Sequence, residues 1–184
     1  MILTDREIKI AIERGLIVIN PRPDSIAYAS TSVDLTLDAI ISEFKAQRGG
    51  VETIIDPSNA NFKDEEVLTD ITERQTISDD GYVLHPQKFV LGWTAEYINL
   101  IYHTRLAARV EGKSSLSRLG IVVHMTAPTI HAGFDGQIRL EIANHGFLPV
   151  RLRARMRICQ LILEQTLGTP DKGYHDQFSG QSSS

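Results

Sequence analysis

From about residue 32 onward the apolar residues of this chain recur at every second position, in short runs cut by turn-forming residues, and this spacing constrains the fold more than any other feature. Val33, Leu35 and Leu37 alternate with Asp34, Thr36 and Asp38. That is the pattern of a half-buried strand, because successive side chains on extended backbone point to opposite faces. Further short strands are predicted at about 82–84, 88–95, 104–110, 119–124, 136–143, 148–153 and 156–164. Many short strands with frequent turns predict a mainly β barrel or sandwich rather than a parallel sheet with crossover helices.

Ahead of the strands, Thr4-Asp5-Arg6-Glu7 has capping-box spacing, in which Thr4 and Glu7 would satisfy orphan backbone donors of a short helix. Ile8, Ala11 and Ile12 share one face of that helix, Gly15 is placed to stop it, and Asn20-Pro21-Arg22-Pro23 cannot continue it. Residues 45–80 are polar, carry the acidic run Asp64-Glu65-Glu66, and read as a long surface excursion with one or two short strands. No internal repeat or linker divides the chain, so residues 1–184 are expected to form one domain, with residues 171–184 as a flexible tail.

Composition excludes several classes of function. At 184 residues, 42% hydrophobic and 23% charged, the chain can bury a core without covalent staples. A formal net charge of −4 argues against a general nucleic-acid binder. Cys159 is the only cysteine, which excludes an intrachain disulfide and a thiolate-rich zinc site. No stretch approaches the roughly 20 apolar residues of a membrane span, and the N-terminus lacks the pattern of a secretory signal. A reduced, cytoplasmic location is the expectation.

Two segments concentrate chemistry. In Glu111-Gly112-Lys113-Ser114-Ser115-Leu116-Ser117-Arg118-Leu119-Gly120, cationic side chains, hydroxyls and a glycine gather between two apolar strands. A polyphosphate needs such groups, since each anionic oxygen takes short, charge-assisted donors. The spacing is not that of a Walker loop, and a plain polar turn would read the same way. In Gly133-Phe134-Asp135-Gly136-Gln137-Ile138-Arg139-Leu140-Glu141-Ile142, Ile138, Leu140 and Ile142 share one strand face, placing Arg139 and Glu141 on the other. Facing solvent, Glu141 would be an ordinary surface carboxylate. Facing a cleft, it would be partly desolvated and suited to proton transfer near neutral pH.

Together these segments resemble the dCTP deaminases of the trimeric dUTPase superfamily. The likeness extends to His124-Met125-Thr126-Ala127, Ser32-Val33-Asp34-Leu35, Ile158-Cys159-Gln160-Leu161, and Tyr174 followed by Gly180-Gln181. The resemblance implies a distorted all-β barrel or jelly roll of the dUTPase-like type, assembled as a homotrimer with sites between subunits. It implies hydrolysis of dCTP to dUTP and ammonia. Glu141 would act as general base and acid, Ser114 and the carbonyl of Ala127 would hold the attacking water, and Arg118 would stabilise the arrangement. Lys113, Ser114, Ser115, Leu116, Ser117 and Arg118 would grip the triphosphate, and Arg139, Leu140 and Glu141 would line the pyrimidine and sugar. Gln160, Tyr174 and Gln181 would complete the pocket, with the tail closing over the nucleotide. Mg2+ would ride on the phosphates, no protein side chain would ligate a metal, and no zinc is implied. dCTP and dUTP are the implied ligands, with dTTP a candidate inhibitor and neither nucleic acid nor membrane a partner.

Two positions depart from the pattern. His131 stands where relatives carry an aspartate that binds the sugar 3′-hydroxyl, and the histidine would take over as the substrate's hydrogen-bonding partner. Gln177 stands near the position where relatives often place a lysine facing the triphosphate. His131 leans against a bifunctional enzyme that also hydrolyses dUTP. That bifunctional enzyme is the first alternative, and a noncatalytic nucleotide-binding trimer is the second. His85, His103 and His145 read as packing or surface residues, and Met125, Met156 and Trp93 as packing. The alternation Arg151, Arg153, Arg155, Arg157 reads as one cationic strand face, either solvated or lying between subunits.

Overall fold

A computed structural model describes residues 1–46, 54–172 and 182–183. Tyr174, Gln177, Gln181 and most of the expected flexible tail therefore lie outside the described residues. In chain order the elements are α1 (Asp5–Glu13), β1 (Ile17–Asn20), β2 (Tyr28–Ala29), β3 (Ser32–Thr36), β4 (Ile40–Phe44), α2 (Asp64–Ile71), β5 (Thr72–Thr76) and β6 (Tyr82–Leu84). They continue with β7 (Phe89–Leu100), β8 (Leu106–Gly112), α3 (Ser114–Ser117), β9 (Ile121–Val122), β10 (Thr129–Ile130), β11 (Asp135–Asn144), β12 (Val150–Leu152) and β13 (Arg157–Gln165). The fold is mainly β, as the two-residue period requires. The described strands form antiparallel sheets, not one closed barrel.

One sheet runs β5-β4-β7-β11-β9, with β1 also paired to β7, and a second runs β10-β8-β13-β3-β2. A separate ribbon joins β12 to β6. Val33, Leu35, Ile98, Val110, Leu140, Ile142 and Leu161 meet in one buried cluster fed by both larger sheets. Helix α1 contributes Ile8 and Ala11 to it. The helix ends as expected at Gly15, whose N–H bonds the Ile12 carbonyl while Leu16 N–H bonds that of Ala11. Its start differs from the expected reciprocal capping. Thr4 is the N-cap, but its hydroxyl donates to the Glu7 carboxylate rather than accepting from the backbone.

Four further expectations are corrected. Residues 45–80 contain helix α2, whose first turn is the acidic run Asp64-Glu65-Glu66; negative charge there complements the positive end of the helix dipole. Strand β3 is buried on both faces rather than one, Asp34 included, and Lys113 and Gln160 cover the carboxylate. The four arginines do not form one strand face. Arg151 lies on β12 and Arg157 on β13, with the turn between them. Arg151 and Arg153 donate to the carbonyls of Asp80 and Asp79, and Arg157 to that of Ile26. Met125 is 53% exposed, whereas Met156 packs partly buried against the core and Trp93 is buried.

Beneath the loop that carries α3 lies a close backbone crossing. Gly120, with φ of +89°, meets the turn after β11, and His145 N–H donates to its carbonyl at 2.8 Å. A Cβ on Gly146 would lie 2.1 Å from the Leu119 carbonyl oxygen. Fully buried Asn144 fixes the same turn, donating to the carbonyls of Leu84 and Leu148 at 2.9 Å each and accepting from Gly146 N–H at 2.8 Å. Gly146→Ala should therefore cost about 1–3 kcal/mol in chemical denaturation, since backbone rather than a pliable side chain must move. An unchanged midpoint would show the crossing to be loose.

Glu96 is a buried carboxylate in the core. It accepts from Thr36 N–H at 2.8 Å and from the Thr36 hydroxyl at 2.7 Å. Burial raises its pKa above the ordinary 4.5, only partly offset by those two bonds. The folded chain thus holds this proton more tightly than the unfolded chain. Its stabilising contribution is full below pH 4.5 and is lost as pH rises through the raised folded value. Glu96→Gln should flatten the fall in stability with rising pH over that window, read as denaturation midpoints at a series of pH values.

Candidate active site

Strand β11 presents Ile138, Leu140 and Ile142 to the core and leaves Gln137, Arg139 and Glu141 half-buried on its other face. Glu141 is not a freely solvated surface carboxylate. Its Oε2 accepts from Met125 N–H at 2.9 Å, and its own N–H donates to the Val123 carbonyl at 3.1 Å. The stretch His124-Met125-Thr126-Ala127 is thereby tied to the glutamate strand, bringing together two segments that the sequence could name only separately. Ala127 and Met125 are exposed beside it.

The hydroxyl-rich segment forms α3, a single short turn whose outer residues Ser114, Ser115, Ser117 and Arg118 are exposed, while Leu116 packs against the core. Lys113 caps this turn. Its Nζ lies 2.6 Å from Asp34 Oδ2, and Gln160 Nε2 donates to Ser32 Oγ at 3.2 Å and to Asp34 Oδ1 at 3.4 Å. A strand residue expected to face outward is thus the anchor of the loop. Helix α3 leads into β9, and β9 pairs with β11 through Ala143–Val122 and Asn144–Ile121. Among the described residues, no hydrogen bond or ion pair joins Ser114 or Arg118 to Glu141 within the chain. Leu140 is completely buried, so only its backbone can face a ligand. His131 is exposed in the turn between β10 and β11, where its carbonyl accepts from Phe134 N–H.

Sequence reasoning missed what surrounds Arg139. Its guanidinium sits 4.5 Å above the Trp93 ring and takes the Glu65 carboxylate in two bonds of 2.6 and 3.2 Å, so a β11 side chain is clamped between β7 and α2. Phe44, Leu68, Arg74, Leu91, Trp93 and Arg139 help to wall a cavity of about 1120 Å3 beneath α2. Neither Glu141 nor α3 lines it. Only the excess of carboxylates at 64–66 hinted at an arginine partner. Among the described residues no three His, Cys, Asp or Glu side chains are grouped to hold a metal ion, and no helix is long and apolar enough to cross a membrane.

A family model described as dCTP deaminase-like matches residues 2–166. The chain belongs to that family. A dCTP deaminase, dUMP-forming, of Methanobrevibacter smithii is 41% identical over 170 residues, covering 92% of this chain and 82% of its own. A dCTP deaminase of Marinomonas sp. is 36% identical over 177 residues, covering 95% and 89%. The crystal structure of 2′-deoxycytidine 5′-triphosphate deaminase from Agrobacterium tumefaciens superposes with a TM-score of 0.68 at 22% identity, over 89% of this chain. This chain spans 48% of that one, and the likeness supports the fold.

The Lys113–Asp34 pair is shielded, with side-chain exposures of 20% and 8%. Lys113→Met should therefore cost about 1–3 kcal/mol by stranding the carboxylate. Adding Asp34→Asn should recover part of that loss in a double-mutant cycle. Additive losses would mean that the pair does not anchor α3.

Proposed function

We propose that this chain is a hydrolase that deaminates dCTP at C4 of the cytosine, with Glu141 moving the proton. The observation that carries the reading is the half-buried Glu141 carboxylate on the outer face of β11, oriented by Met125 N–H at 2.9 Å, in a member of the dCTP deaminase-like family. A carboxylate held by one donor keeps its second oxygen free to take a proton from water. The water oxygen bonds to C4 as Glu141 takes one water proton and N3 becomes protonated. The remaining hydroxyl proton passes by way of Glu141 to the exocyclic nitrogen, and the C–N bond breaks. The two water protons thus end on N3 and on the released ammonia, and the oxygen stays as the uracil carbonyl.

In this reading Ser114 and the Ala127 carbonyl hold the water, and Arg118 steadies the charge that develops near Glu141. The exposed hydroxyls and N–H groups of α3 meet the triphosphate, with Lys113 set by Asp34 at the entrance of the turn. The site is completed between subunits of a homotrimer, which accounts for the absence of a Ser114 or Arg118 bond to Glu141 within one chain. Residues 1–184 act as one domain, with residues 171–184, including Tyr174 and Gln181, closing over the nucleotide. Mg2+ fits as a cation carried by the phosphates, since a triphosphate brings its own oxygen ligands and no cluster of acidic side chains is needed. When bound there it would neutralise phosphate charge, leaving water activation to Glu141 and its neighbours. Gln160 is committed to Ser32 and Asp34, so its part in the pocket is to hold the α3 anchor.

A second reading concerns the fate of dUTP. The relative at 41% identity bears the name dUMP-forming and the one at 36% does not, which favours a chain that carries dUTP on to dUMP and pyrophosphate despite His131. Product separation after incubation with dCTP decides this. dUMP with pyrophosphate is expected, whereas dUTP as the sole end product would restore simple deamination. Glu141→Gln should lower ammonia release by about 10²-fold or more while nucleotide binding remains measurable. Wild-type turnover by that variant would remove Glu141 from the mechanism.

A further inference from the structure

The pairing of β7 with β11 is not continuous. Gln137 stands opposite Tyr97 and Arg139 opposite Trp93, so Thr94, Ala95 and Glu96 of β7 face the single residue Ile138. Such a bulge leaves backbone groups without ladder partners and lets a strand rotate or slip. One side chain closes the gap. The Thr94 hydroxyl accepts from Ile138 N–H at 3.0 Å and donates to the Glu96 carbonyl at 2.8 Å. Thr94 is 0% exposed, and its own carbonyl accepts from Gln137 Nε2 at 2.8 Å. Beyond the bulge the ladder resumes in strict register, Arg139 to Trp93, Leu140 to Gly92 and Glu141 to Leu91.

We infer that Thr94 is a positioning residue for the deamination proposed above, acting through β11. Its hydroxyl bonds one backbone group on each strand at the bulge, Ile138 N–H of β11 and the Glu96 carbonyl of β7, and so fixes the rotation at which β11 emerges. That rotation sends Ile138 and Leu140 inward and sets Arg139 on Trp93. Two residues further on, it holds the Glu141 carboxylate within 2.9 Å of Met125 N–H. The inference rests on the proton-transfer role of Glu141. Its physical content is that one buried hydroxyl on the neighbouring strand governs where that carboxylate stands.

Thr94→Val keeps the shape and removes the hydroxyl, leaving the Ile138 N–H and Glu96 carbonyl unanswered. Steady-state kinetics with dCTP, well below the melting temperature of each variant, should show kcat reduced about 10- to 100-fold with KM changed less than about threefold. Thr94→Ser, which restores the hydroxyl, should return kcat to within about threefold of wild type. Amide hydrogen exchange at Met125 reads the same contact without turnover, and protection should fall in the valine variant and persist in the serine variant. If the valine variant does not fold, Thr94→Ser and Thr94→Cys decide, with serine expected to be much the more active because the thiol is a weak donor. Lowered melting with unchanged kcat and unchanged Met125 protection would reduce Thr94 to a structural residue, and equal activity of serine and cysteine would do the same. A wild-type protein inactive on dCTP, yet with Met125 protection dependent on Thr94, would instead overturn the proposed reaction and leave the positioning intact.

Discussion

Strand β11 has one face in the core and the other at the candidate site, and the two faces are energetically inseparable. Ile138, Leu140 and Ile142 are buried between the sheets, each worth roughly 1.5–3 kcal/mol relative to exposure. A shift of one residue would send those three outward and drive Arg139 and Glu141 into apolar surroundings, where an unpaired charge costs several kcal/mol more. The energy that closes the core therefore also directs the Glu141 carboxylate. The bulge in β7 and the crossing of Gly120 with Gly146 are the two places where backbone is adjusted so that β11, β9 and α3 keep their relations.

Much of this was legible in the sequence, for a physical reason. Period-two spacing is a direct consequence of burying one strand face, so β11, β13 and the core residues of β8 could be read from composition along the chain. Glu141 fell on the polar face by the same alternation, which left open whether that face met solvent or a cleft, and its bond to Met125 N–H was announced by no pattern. Three things were not legible. Helix α2 sits in a polar stretch with no buried residue of its own, so no apolar periodicity announces it. Asp34 alternates like a solvent-facing residue, and its burial is answered by partners far along the chain, Lys113, Arg157 and Gln160. Thr94 and Glu96 look like ordinary strand polars until a long-range pairing irregularity gives them work. Local pattern encodes which face is apolar, whereas polar contacts between distant segments require the fold.

The charge pattern carries a related lesson. Cations that look available in the sequence are mostly committed inside the chain: Lys113 to Asp34, Arg139 to Glu65 and Trp93, and Arg151, Arg153 and Arg157 to backbone carbonyls. Within the chain Arg151, Arg153 and Arg157 thus tie turns and strand ends together. What faces outward on α3 is chiefly hydroxyl and backbone, with Arg118 as its exposed cation. Under the proposed function, such a surface would recognise an anion by the direction of its donors more than by net positive field, in keeping with the chain's formal charge of −4.

Cys159 stands on β13 with 0% exposure, paired within its sheet to Leu35 of β3 and Gly112 of β8. Burial, reinforced by the nearby Glu96 and Asp34 carboxylates, pushes its thiol far above the usual range. A thiol held neutral between two hydrogen-bonded strands reacts with alkylating reagents only when those strands part. The protein thus carries a single internal reporter of sheet opening: the rate at which this sulfur becomes labelled measures how often the centre of the second sheet comes undone, with no probe needing to be engineered in.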